Sequence, residues 1–122
     1  MNAKVDVEKE DLELRELDNY IGTEQYHRIY LGAIATDGVK YIMDNGYSWF
    51  VTDAISIIKY KFAREAFLTA ELRVNKENST ADMVITDGDG HILYRQHYIY
   101  TDAQRDITLY YTGKVIMLSG EY

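Results

Sequence analysis

Three histidines, His27, His91 and His97, are the side chains best suited to hold a metal ion in a chain of 122 residues that has no cysteine. Without a thiolate, a zinc or iron–sulfur site would need imidazole and carboxylate donors meeting at one point. His91 and His97 share parity on one expected strand, but six residues at ~3.3 Å each set them roughly 20 Å apart, too far for one ion. His27 against His97 across neighbouring strands is the remaining pairing. The run Asp87–Gly88–Asp89–Gly90–His91 resembles the opening of a calcium loop. Counted from Asp87, however, the positions that need Gly and Glu hold Ile92 and Tyr98, so the pattern fails. A glycine-rich hairpin turn accounts for the same residues, and no metal or other cofactor is expected.

Covalent chemistry has little support. Ser48, Ser56, Ser79 and Ser119 show no nucleophile-elbow pattern, and twenty acidic residues allow many acid–base pairs without singling one out. The segment TDGVKY, residues 36–41, joins a helix start to Lys40 and so has the elements of a phosphate site, but it matches neither GxxxxGK[ST] nor GxGxxG. A capped helix is the simpler account. No catalytic residue is assigned, and a non-enzymatic protein is expected.

Two groups of residues could instead bind. Glu8, Glu10, Asp11 and Glu13 belong to an acidic leading segment: residues 1–25 carry eight acids and three bases, or −5 of the chain's total of −7. An acidic face of this kind suits a basic protein and opposes direct contact with nucleic acid or anionic lipid. Trp49, Asp53, Arg95, His97 and Tyr98 could line a pocket for a nucleotide or metabolite, with aromatic rings stacking on a base and Arg95 pairing with an anion. Twelve tyrosines, out of sixteen aromatic residues, add amphipathic rings that favour interfaces. Tyr110 and Tyr111 are adjacent on an expected strand, so they point to opposite faces and one must lack core cover unless another layer is present.

The elements that must position these residues follow from periodicity. Residues 6–19 are rich in helix formers, with Val7, Leu14 and Leu17 near one stripe, which predicts an acidic N-terminal helix within a segment spanning residues 1–20. A body over residues 21–122 makes up the rest of a single domain. Tyr26–Leu31 predicts a strand. Thr36 is placed to cap a helix through Val39, Ile42 and Met43 that ends near Gly46, and a second helix is predicted over 48–61 from the spacing of Trp49, Phe50, Ala54, Ile57 and Ile58.

From Ala66 to Val74 the period changes to two, with Leu68, Ala70 and Leu72 on one face. Ala81, Met83 and Ile85 continue it on a second strand, residues 91–100 form a third, and ITLYY and KVIML form a last pair across Thr112–Gly113. The expected fold is α+β: an antiparallel β-meander with two central helices packed on one face and the acidic helix at the periphery. No run approaches the ~20 apolar residues of a membrane span, and the first residues lack the apolar core of a secretory signal, so a cytoplasmic protein is expected.

The motifs GTEQYHR (22–28), TDGVKY (36–41), Trp49 with Asp53–Ala54–Ile55–Ser56, YTD (100–102) and SGEY (119–122), in that order, resemble an uncharacterised domain-of-unknown-function family of bacteria and their phages. The resemblance implies no activity and no catalytic residue. It implies a setting of small proteins encoded on phages or other mobile elements, where binding partners and inhibitors of host defence are common. The leading expectation is therefore a non-enzymatic interaction protein, an inhibitor of a host defence or nucleic-acid-binding protein through an acidic, tyrosine-rich surface. A symmetric homodimer is a further expectation, and a small-ligand binding module is the alternative.

Overall fold

The computed structural model describes residues 24–122. The expected helix over 6–19, with Glu8, Glu10, Asp11 and Glu13, lies outside the described residues. The architecture is α+β. Seven strands, β1 (Tyr26–Arg28), β2 (Ile34–Thr36), β3 (Phe67–Asn75), β4 (Thr80–Thr86), β5 (Ile92–Tyr98), β6 (Ile107–Thr112) and β7 (Val115–Leu118), form one mostly antiparallel sheet in the order β1-β2-β7-β6-β3-β4-β5. Between β2 and β3 runs the helical layer, α1 (Asp37–Ile42) and α2 (Ser48–Lys61), joined by a π-type turn over Met43–Tyr47.

Two separate central helices are not confirmed. Helical structure runs from Asp37 to Lys61, and the expected stop at Gly46 is a local irregularity in which Asn45 and Gly46 leave helical angles (Gly46 φ 101°) before α2 continues. Thr36 does cap α1, its Oγ1 accepting from the Val39 amide at 3.4 Å. The strand expected from Tyr26 to Leu31 is shorter, because Leu31 and Gly32 adopt left-handed angles (φ 56° and 77°) and turn the chain back into β2. A hairpin forms there, with His27 opposite Ala35.

The alternation in β3 sets the core. Leu68, Ala70 and Leu72 meet Tyr111, Leu109 and Ile107 of β6 on one side, while Ala70 and Leu72 meet Ile85 and Met83 of β4 on the other. These side chains face Val39 and Ile42 of α1 and Phe50, Val51, Ala54, Ile55 and Ile58 of α2 in one buried cluster. Each fully buried aliphatic or Phe side chain in such a cluster contributes ~1.5–3 kcal/mol relative to exposure, so this layer contact outweighs any single polar contact in the molecule. Trp49 and Ile57, expected in the buried stripe, lie at its margin.

The meander holds only for β3-β4-β5. After β5 the chain does not add a strand to that edge; residues 99–106 cross the sheet end and β6 pairs with the opposite edge of β3. The crossing is pinned where the Thr101 amide donates to the Ser79 carbonyl at 2.7 Å, where Ala103 is buried, and where the Asp106 carboxylate accepts from the Val74 amide at 2.7 Å. The β6-β7 hairpin then meets β2 in the sheet's parallel pair, Ile34 opposite Val115 and Ala35 opposite Ile116. β3 is nine residues long and well buried, so hydrogen-bonding neighbours on both of its edges satisfy more backbone than a simple meander would.

Candidate functional site

The start of α1 gathers three of the sequence motifs. Glu121 reaches back from the C-terminal turn: its Oε1 accepts from Thr36 Oγ1 at 2.6 Å and from the Leu118 amide at 2.8 Å, and its Oε2 accepts from the Gly38 amide at 3.0 Å. Asp37 accepts from the Glu24 and Gln25 amides at 2.9 and 3.3 Å and contacts His27 Nε2 at 2.9 Å. A Cβ on residue 38 would stand 2.6 Å from Leu118 Cδ1 and 2.8 Å from the Glu121 carboxyl, so this close approach requires glycine. At the position where a phosphate would meet the amides of the helix start, the chain has placed its own carboxylate. The geometry closes the fold and leaves TDGVKY engaged internally.

The proposed pocket residues divide between the two faces of the sheet. Trp49, Asp53 and Tyr98 come together on the helical side: the Tyr98 hydroxyl donates to Asp53 Oδ2 at 2.7 Å, and the Trp49 and Tyr98 rings meet edge-on at 5.0 Å. Tyr47 also stacks against Trp49, with ring centroids 6.4 Å apart. Burial first, and the Asp53 hydrogen bond and charge second, raise the Tyr98 phenol well above its ordinary range, so it is a neutral donor fixed on a carboxylate. That contact ties α2 to the edge strand β5. Arg95 and His97 have the opposite parity on β5 and face away; Arg95 is opposite Val84, and His97 Nδ1 contacts Asp82 Oδ1 at 2.8 Å. The five residues therefore do not form one pocket.

The histidines are likewise apart. β1 and β5 are the two edges of the seven-stranded sheet, so His27 and His97 do not lie on neighbouring strands. Each histidine has an aspartate of its own: His27 with Asp37, His91 with Asp87, and His97 with Asp82, at 2.9, 2.8 and 2.8 Å. Among the described residues no group of three or more His, Asp and Glu side chains is arranged to hold a metal ion. The segment from Asp87 to His91 is a hairpin turn, in which Asp87 Oδ1 accepts from the Asp89 and His91 amides at 2.8 and 3.3 Å.

Tyr110 and Tyr111 do face opposite ways. Tyr111 is buried beneath the helices, whereas Tyr110, on the other face, joins Phe67 and Tyr122 in an aromatic cluster with ring centroids 5.2, 5.3 and 5.7 Å apart and interplanar angles of 60° to 85°. Tyr122 is 75% exposed. Phe67 and Tyr122 were not among the candidate residues of the sequence; their meeting depends on strand pairing and on the final turn, neither of which has a local signal. A shallow cleft of about 310 Å³ is a second surface feature, lined by Lys76 and Ser79 on one side and by residues 100–104 of the crossing loop on the other.

Fold and surface together define a small α+β protein whose sequence motifs close its own helix start and whose sheet face opposite the helices carries a cluster of aromatic rings. The chain belongs to DUF6876, a family of unknown function, whose model matches residues 11–122. No curated protein and no solved structure matches it. No helix among the described residues is long and apolar enough to cross a membrane.

Proposed function

We propose that this protein is a non-enzymatic interaction module that binds another protein through the sheet face carrying Phe67, Tyr110 and Tyr122. The carrying observation is the exposure of Tyr122 in edge contact with two partly buried rings. Preassembled aromatic side chains lose little conformational freedom on binding and dominate interface energies, and a soluble chain gains nothing in its own core from a ring left in water. The net charge of −7 favours a basic partner and speeds encounter with it. Within the setting that the family resemblance implies, a nucleic-acid-binding host protein in the cytoplasm fits that description, and covering its basic groove would inhibit it. Glu8, Glu10, Asp11 and Glu13 would extend the acidic field. Affinity capture from a host lysate tests the reading: wild type is expected to retain a partner that Tyr122→Ala loses, and equal capture by both proteins would refute it.

The cleft at Lys76 supports a second reading, a small-ligand module. Lys76, Asp102 and the Tyr100 ring offer a cation, an anion and a stacking surface around one space. A nucleotide and metabolite panel read by thermal shift distinguishes the two, because ligand at 100 times its Kd stabilises by ~2.7 kcal/mol. A shift abolished by Lys76→Ala supports the cleft; a flat panel removes it.

A further inference from the structure

The aromatic cluster has an acidic neighbour. β3 and β4 pair with Thr69 opposite Thr86, which brings the turn after β4 alongside Phe67. Gly88 lies flat against that ring: a Cβ there would be 2.8 Å from Phe67 Cδ2 and Cε2. Asp87 and Asp89 are the chain neighbours of this contact residue, so the acidic turn adjoins Phe67. Asp87 is held in place by the Asp89 amide and the His91 ring, at 2.8 Å each, and its carboxyl is kept below the usual carboxylate range chiefly by the Asp89 amide. Asp89 is exposed and its carboxylate makes none of the turn's hydrogen bonds. Cations also stand in the neighbourhood: Lys114 follows Thr112, which pairs with Phe67, and Arg64 precedes β3. Their side belongs to the β6-β7 turn and the end of α2, while the β4-β5 turn is acidic.

Aromatic faces carry negative quadrupole potential, and a guanidinium can stack on such a face while its remaining N–H groups reach a carboxylate. We propose that Phe67, Tyr110, Tyr122 and Asp89 form a docking site for an arginine-bearing segment of a partner protein. This rests on the interaction reading above and specifies its chemistry: the guanidinium stacks on the exposed Tyr122 ring and pairs with Asp89, and the acidic turn selects against an acidic segment. The exposed Tyr122 ring meets Phe67, and exposed Asp89 follows the glycine that meets the same ring, so an arginine would find a π-face and a carboxylate around one side chain.

The test uses the full chain, labelled for NMR, with a synthetic peptide of alternating glycine and arginine and matched lysine and glutamate peptides as probes. The arginine peptide is expected to shift the ring signals of Phe67, Tyr110 and Tyr122 and the Asp89 amide, and the glutamate peptide to leave them unmoved. Tyr122→Ala and Asp89→Asn, both at exposed positions, are each expected to weaken arginine-peptide binding about fivefold. Because the acidic residues at 8–13 attract the same peptide, the comparison of these variants decides, not total affinity. Undiminished binding by both variants, or shifts confined to other acidic positions, would overturn the proposal. If the peptide fails to bind the cluster while Tyr122→Ala still loses the captured partner, the arginine assignment falls and the interaction reading stands; if Tyr122→Ala weakens the peptide but not capture, the reverse holds.

Discussion

The Gly38 amide donates to the Glu121 carboxylate at 3.0 Å across 83 positions of sequence, joining the first turn of the helical layer to the end of the chain. The same carboxylate accepts from Thr36 and Leu118, so a single side chain satisfies the helix start, its cap residue and the last strand. Glu121→Ala should destabilise the fold by about 2 kcal/mol, the range for a lost cap with its associated hydrogen bonds. Gly38→Ala should cost about 1–3 kcal/mol by overlap with Leu118 and Glu121. The double variant is expected to lose less than the sum, since removing the Glu121 carboxyl relieves part of the overlap, and urea denaturation of all four proteins measures the coupling.

Tyr98 gives the fold an alkaline limit. Burial and then Asp53 hold its phenol above the ordinary range, and burial does the same for Tyr111. A raised folded value means the folded chain keeps a proton that the unfolded chain releases. The stabilising contribution is therefore full below the ordinary tyrosine value of ~10 and is lost as pH climbs above it. Urea midpoints should fall over that window, and Tyr98→Phe should flatten the fall while costing about 1–2 kcal/mol at neutral pH through the lost bond to Asp53. Fluorescence of Trp49, the single tryptophan, reports the loosened contact directly.

The β4-β5 turn should respond at the other end of the pH scale. The Asp89 amide, and secondarily the His91 ring and amide, lower the Asp87 carboxyl. With a depressed folded value, the contribution is present above the ordinary aspartate value of 3.8 and disappears as pH falls through the lower folded one. NMR titration should show the Asp89 and His91 amides moving together in that acid window, and Asp87→Asn should abolish the step.

The three tyrosines at the C-terminal end should differ in what their removal costs. Tyr111→Ala removes a ring from the core and should cost about 3–5 kcal/mol, whereas Tyr122→Ala should stay within about 0.5 kcal/mol. Tyr110→Ala falls between them, because its ring is partly covered by Phe67 and Tyr122. Thermal melts rank the three, and only the last two are expected to change binding.

Arg95 and His97 should be dispensable for anything that occurs beside Trp49. Substituting either by Ala should alter stability by no more than about 0.5 kcal/mol and leave the Trp49 emission unchanged, because both side chains lie across the sheet from it. A shifted emission spectrum would contradict that placement.

Local order was legible in the sequence wherever one backbone period dominates. Alternation placed Leu68, Ala70, Leu72, Ala81, Met83 and Ile85 toward the core, separated Tyr110 from Tyr111, and located the turn at Asp87–Gly90; Thr36 identified the helix start. The same parity rule separates Arg95 and His97 from Tyr98, a signal available in the sequence that the grouping of five pocket residues overlooked. Other relationships required the tertiary structure: β6 beside β3, the parallel pairing of β2 with β7, the reach of Glu121 to Gly38, and the meeting of Phe67 with Tyr110 and Tyr122. Side-chain period is fixed within a few residues by backbone geometry, so a sequence displays it directly. The choice of strand partner compares whole edges across distant segments, and only the assembled packing decides which edge loses least by being left open.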